Sequence, residues 1–366
     1  MNRQKLIGWL CIALVGGCVD PYRPPEITSP ASYLVVNGFF NSAPGTTTTI
    51  RLSRTQNLTD FKTPAVETKA IVTIESQNKA VYTLKEGTPG SYTLAGVTPV
   101  EGDTYRLHIQ TRGTDYYSDY VPMVKTPPID SVSWDVVDDG LQISANTHDP
   151  QNNTRYYRWE YEATWEYYSQ YYSSLELNGN RIVSRQFPVN RCWNSESSTN
   201  IITTSTTRLS QDIVSKHPLT FIPGTSIKLE SRYSILVKQS SLTKAGFEYY
   251  DQLAKITQNI GSIFDPQPSQ ITGNIKSSAS ATDLVLGFFR VGNVETKRIF
   301  ITKSQLPRWY TFTGLEGCVT DTLGLKDILD AKPAILTEYL TEYITSSEYC
   351  VDCRLRGGVL TKPAFW

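Results

Sequence analysis

The stretch from Tyr157 to Tyr167 constrains the fold more than any other part of this chain. Tyr157, Trp159, Tyr161, Ala163, Trp165 and Tyr167 alternate with Arg158, Glu160, Glu162, Thr164 and Glu166. A strict period of two over eleven residues does not match the 3.6-residue repeat of a helix. It matches an antiparallel strand with one face buried. The aromatic face has two readings. It packs as core beneath the rest of a sheet, or Tyr157, Trp159, Tyr161 and Trp165 form a platform on which a ligand stacks. A platform requires the ring faces to be exposed. On the other face, three acids beside Arg158 read as a solvated surface.

The rest of the chain agrees with a strand-rich fold. Tyr is abundant, at 22 residues against 2 Met, and Thr, Ser, Tyr and Val prevail over Ala, Leu and Lys, a balance that favours strands. Short strands are expected at Leu34–Phe40, Thr46–Ser53, Ala70–Glu75, Ala80–Leu84, Gly90–Leu94 and Thr104–Ile109, split by Gly, Pro and Asn. Their spacing predicts an N-terminal Ig-like or transthyretin-like β-sandwich over residues 33–125. Thr126-Pro127-Pro128 marks its end. A larger β-rich domain is expected over 126–366. It opens with a hairpin, Asp138-Asp139-Gly140 turning Trp134–Val137 into Leu141–Ala145. Leu242 to Ile260 is the one convincing helix, inserted among the strands, with Ser241 or Thr243 placed to cap it and Gly261 to stop it. Strands resume at Leu284–Phe289 and Lys297–Ile301. The last ~50 residues read as irregular, with a short helix near Lys326–Leu329 and a docked aromatic end, Phe365-Trp366.

The N-terminus reads as an address. Arg3 and Lys5 precede the apolar run Leu6–Val15, and Gly16-Gly17 precede Cys18. That run is too short for a spanning helix, which needs ~20 residues. Basic end, short apolar core and small residues before a cysteine form a lipoprotein signal over residues 1–17, with Cys18 as the lipidated residue. Cys11 is the poorer candidate, because bulky Leu10 precedes it. Residues 18–32 follow as a Pro-rich tether. Removing residues 1–17 takes Arg3 and Lys5 from a chain with 35 basic and 35 acidic residues, leaving a net charge of −2. That is no footprint for nucleic acid or anionic headgroups.

Four cysteines remain: Cys192, Cys318, Cys350 and Cys353. An even number in an exported chain suggests two disulfides, in any of three connectivities. The Cys350-x-x-Cys353 spacing also fits half of a zinc site or a redox pair, although the frame of a thioredoxin motif is missing. His108, His148 and His217 form no helical metal pair. No nucleophile elbow or phosphate loop occurs. His148 to Asn153 offers oxygen ligands but lacks the alternating acids of a calcium loop, and reads as a turn. Neither a cofactor nor a resident metal is expected.

Several blocks together resemble a known family. They are Cys18–Tyr22, Leu34–Gly38, Tyr156–Glu160, Cys192-Trp193, Tyr233–Gln239, Gly261–Ser269, Gly273-Asn274-Ile275, and Cys350-x-x-Cys353 with Pro363–Trp366. The chain resembles a Bacteroidota outer-membrane lipoprotein family catalogued as a domain of unknown function, and the resemblance runs over essentially the whole mature chain. It implies a lipid-anchored outer-membrane protein, with the cell surface the favoured side. It also implies a partnership with a TonB-dependent receptor, beside which members are commonly encoded. It carries no catalytic residues. The expected function is therefore that of a non-enzymatic accessory or binding partner in nutrient uptake, its small-molecule or glycan ligand open. The alternatives are a carbohydrate- or peptide-acting surface enzyme using paired carboxylates, and a structural or adhesive surface lipoprotein.

Overall fold

Alternation along each strand decides which side chains meet, and the chain sorts them into two main cores. A computed structural model describes residues 32–56, 63, 65–258, 271–280 and 282–366. The signal stretch 1–17, Cys18, nearly all of the tether and the Gly261–Ser269 block lie outside the described residues. The fold is mainly β, as the composition implies, with two α-helices and several sheets among the described residues. None of these helices is long and apolar enough to cross a membrane.

Eleven strands form one continuous, curled sheet that nearly closes into a barrel. Leu34–Asn41 pairs antiparallel with Thr47–Arg54, and Ile71–Ser76 with Thr104–Thr111. Leu34, Val36, Phe40, Ile50, Ile74, Leu107 and Phe289 fill the interior, each at most 3 % exposed. Two strands of this sheet come from far along the chain. Val285–Gly292 runs parallel to Leu34–Asn41, and Ile275–Ser277 pairs with Thr114–Ser118. Strands that the sequence reading grouped with the second domain thus complete the first sheet.

The second core lies between two sheets. Ile129–Val137, Gly140–Asp149 and Asp212–Pro223 form one, with the expected tight hairpin at Asp138-Asp139. The other is ordered Arg191–Ser197, Tyr156–Tyr168, Arg232–Ser241, Val294–Thr302, with Ile202–Ser205 beside Tyr156–Trp159. Leu141, Ile143 and Ala145 from the first meet Tyr157, Trp159, Ala163, Ile235 and Val237 from the second.

The helix Lys244–Gln258 matches the expected one over the described residues, and the Thr243 hydroxyl accepts the Gly246 N–H at 3.1 Å as its cap. The final ~50 residues are more regular than expected. Thr320–Leu323, Glu342–Ser346 and Ala334–Tyr339 form a three-stranded sheet, and Leu325–Ala331 is helical. These strands are short, and their buried residues come in runs (Ala334–Leu336, Thr345–Ser346) instead of alternating, so they carry little period-two signal for a sequence reading to detect. The aromatic end is docked. Trp366 meets Phe300 edge-on at 5.7 Å, and the Arg298 guanidinium lies 3.5 Å from the Phe365 ring centre.

Candidate functional site

The aromatic strand is core and offers no platform. Tyr157 and Trp159 are wholly buried, Trp165 is 7 % exposed, and Tyr161 is partly covered. The Trp159 ring lies between Tyr157 at 5.6 Å and His217 at 4.9 Å, and its indole N–H donates to Gln239 Oε1 at 2.9 Å. The sheet of Ile129–Val137, Gly140–Asp149 and Asp212–Pro223 packs over the Tyr157 and Trp159 rings, which leaves no ring face there for a ligand to stack on. On the other face each acid has a basic partner: Arg158 for Glu160, Lys238 for Glu162, Arg191 for Glu166. Glu166 departs from the solvated surface expected of it. It is 4 % exposed and also accepts from Ser231 Oγ at 3.2 Å, because the flanking strand and loop fold over that end of the sheet.

The four cysteines pair as Cys192–Cys353 and Cys318–Cys350, with Cα atoms 5.8 Å apart in each pair. Cys350 and Cys353 therefore neither bond to each other nor share a zinc ion, and among the described residues no group of three or more metal-type side chains stands together. His108 has Asp115 at 2.8 Å and Glu75 at 3.1 Å on its two ring nitrogens and stacks on Tyr117. Asp149, in the loop considered for calcium, accepts the N–H groups of Gln151, Asn153 and Thr154 at 2.8 to 3.0 Å. Burial alone would raise its pKa, but these backbone donors hold it below the usual value. The loop is a self-satisfied turn.

What sequence reasoning missed is a cleft of about 420 Å³ where the two β-bodies meet. The paired strands Leu34–Asn41 and Val285–Gly292 supply Phe39, Phe288 and Arg290, the strand Thr47–Arg54 supplies Arg51, and the charged face of Tyr156–Tyr168 supplies Arg158 and Glu160. The helix Lys244–Gln258 closes one side with Tyr249 and Tyr250. Helix packing orders these rings: Tyr249 lies 5.3 Å from Phe288 and 5.2 Å from Tyr250. The Arg158 guanidinium sits 4.5 Å from the Tyr250 ring centre, and Arg290 sits 3.9 Å from Phe39. Arg158 bonds Glu160 at 2.8 Å through one terminal nitrogen, while its buried Nε has no hydrogen-bond partner among the described residues.

The electrostatics of the cleft are lopsided. Three arginines face one carboxylate, Glu160. Burial pushes the Arg290 pKa down, and the like charge of Arg158 adds to that, against the pull of Tyr250 and Glu160. Burial likewise pushes the Tyr249 phenol up to about 12, so it remains a neutral hydroxyl. Five separate elements meet here, and no local motif marks such a convergence. The strand alternation at Arg158 and Glu160 was the only signal within reach of a sequence reading.

Two blocks that carried the family resemblance have structural explanations close by. The Gln239 amide accepts from Trp159 and donates to Pro127 O at 2.8 Å and Thr147 Oγ1 at 3.0 Å. Asn274 uses its side chain as a strand would, donating to Phe289 O at 2.9 Å and accepting from Phe289 N at 2.8 Å. No curated protein matches the chain. A family match covers residues 19–298 and so stops short of the Cys350–Trp366 ending. With these strands, helix and buried amides inside the matched span, the chain belongs to the family described as Domain of unknown function (DUF4249).

Proposed function

We propose that the protein is a lipid-anchored accessory protein of the bacterial outer membrane, working beside a TonB-dependent receptor in nutrient uptake. One observation carries this reading: a lipid-modification pattern at Cys18 precedes a body whose four other cysteines form two disulfides. Disulfides of this kind persist in oxidising compartments outside the cytosol. Anchored acyl chains confine the body near the bilayer, and confinement beside a receptor raises effective concentration without new contacts. Tyr310 and Phe312, 64 % and 61 % exposed, meet edge-on at 5.2 Å and leave a pair of large aromatic side chains facing solvent. Glu160 is the single carboxylate lining the cleft, so the cleft lends no support to a two-carboxylate hydrolase.

The test has two parts. Metabolic labelling with a fatty-acid probe should mark the parent and leave a Cys18→Ser variant unmarked and absent from the outer-membrane fraction. Affinity capture from detergent-solubilised outer membranes should then recover a receptor with the parent. An unlabelled parent removes the anchor from the proposal, and capture without any receptor removes the partnership.

A further inference from the structure

We propose that the cleft between the two β-bodies binds a small organic anion, a carboxylate or phosphate group carried on an apolar or aromatic body. Three observations converge on that chemistry. First, the charge is unbalanced. Arg51, Arg158 and Arg290 line the cleft with Glu160 alone against them, and among the described residues neither Arg51 nor Arg290 enters a salt bridge. Two like-charged guanidinium groups held in one partly covered cleft repel each other, and an anion between them relieves that repulsion. Second, hydrogen-bonding capacity is unused. Arg158 Nε is buried without a partner, a state that is uncommon and costs free energy in a finished fold. Guanidinium forks suit carboxylate and phosphate oxygens better than any neutral group.

Third, aromatic rings form part of the walls. Phe39 and Tyr250 lie under the two inner guanidinium groups, and Phe288 lies tilted against Tyr249. These rings hold the arginines by cation–π contact and leave apolar surface between them. A bare inorganic ion would use the charge and waste the walls. A volume of about 420 Å³ lies in the range that takes a ligand rather than a few waters. The position matches as well, since clefts between packed bodies are favoured ligand sites. Binding here requires neither the anchor nor a receptor, so its failure and theirs are separable.

The experiment is calorimetric titration of the full chain in non-ionic detergent at low ionic strength, with thermal unfolding in parallel. The probes are 4-hydroxyphenylacetate, phenyl phosphate, neutral 4-hydroxyphenylacetamide and inorganic phosphate. The acid or the aryl phosphate should bind and raise the melting temperature, with the amide weaker by at least about tenfold. The preferred head group then tells whether the natural ligand is an organic acid or a phosphorylated compound. Arg290→Met should weaken binding by about tenfold or more, and Arg51→Gln, at an exposed position that leaves packing intact, by about threefold. Amide and acid binding equally, inorganic phosphate matching phenyl phosphate, no anion binding at all, or unchanged binding in Arg51→Gln would each overturn the proposal.

Discussion

One buried side-chain amide, Gln239, holds a junction that strands and linkers alone do not. Gln239 is wholly buried, and its amide serves three groups: it accepts from the Trp159 indole and donates to the Pro127 carbonyl and to the Thr147 hydroxyl, which itself donates to Pro128 O. Thr126 supports the same junction, bonding Asn293 through both backbone and side chain at 2.7 Å. The Pro-Pro segment that reads as a boundary is therefore pinned. Gln239→Leu would strand a buried indole N–H and a buried carbonyl, and chemical denaturation should show a loss of about 2–4 kcal/mol. A loss below about 0.5 kcal/mol would mean these groups find other partners. His217 supplies a pH effect at the same scale. Burial against Trp159 lowers its pKa in the folded state. Its contribution is thus complete above the unfolded value of about 6.5 and is lost as pH falls through that value toward the folded one. On acidification from about pH 7.5 to about pH 5.5 the parent should lose more melting temperature than His217→Phe, which keeps the ring contact without the proton. Exposed His148 works in the opposite direction. Asp130 raises its pKa, so its contribution fades as pH rises.

At the scale of elements, the strand Val285–Gly292 decides the architecture. It crosses into the N-terminal sheet and lies parallel to Leu34–Asn41, with Asn274 bonded to it from the other side. Backbone closeness there is extreme. Gly287 has φ +132°, and a Cβ on it would stand 2.0 Å from the Val36 carbonyl oxygen. Gly287→Ala should therefore destabilise by about 2–3 kcal/mol in denaturant titration, through both clash and backbone strain. Gly45 is the control. It has φ +72° but open space around it, so Gly45→Ala should cost only about 1 kcal/mol. Equal losses at the two sites would show that strain alone, without the close approach, sets the effect. The strands themselves were legible: Leu34–Phe40, Thr46–Ser53 and Thr104–Ile109 lie within a residue or two of the observed elements. Their partners were not. Alternation reports which face a side chain takes, and it is silent on which strand lies alongside.

For the whole molecule, the disulfides tie the C-terminal segment to the second β-body. Cys192–Cys353 spans 161 residues and joins the strand Arg191–Ser197 to the turn at Cys353–Arg356, while Cys318–Cys350 spans 32 residues within the C-terminal unit. Chain-entropy arguments assign each about 3–5 kcal/mol, the longer loop more. The double variant Cys192→Ser/Cys353→Ser should lower the unfolding midpoint more than Cys318→Ser/Cys350→Ser, and limited proteolysis should cut the released tail of the first near residue 356. The reverse order would place the stabilisation in local strain relief and not in loop closure.

The sequence by itself determined the β-rich class, the position of most early strands, the inserted helix and the amphipathic character of Tyr157–Tyr167. Each of these is written in neighbouring residues, because strand and helix periods are local properties of the backbone. Only the tertiary structure decided that the aromatic face is covered, which cysteines meet, and that Arg51, Arg158 and Arg290 converge with Tyr250 on one cleft. Those outcomes depend on closing loops of tens to hundreds of residues. The entropy of closure grows only as the logarithm of loop length, so distance along the chain barely discriminates between partners and the packing of the finished cores makes the choice.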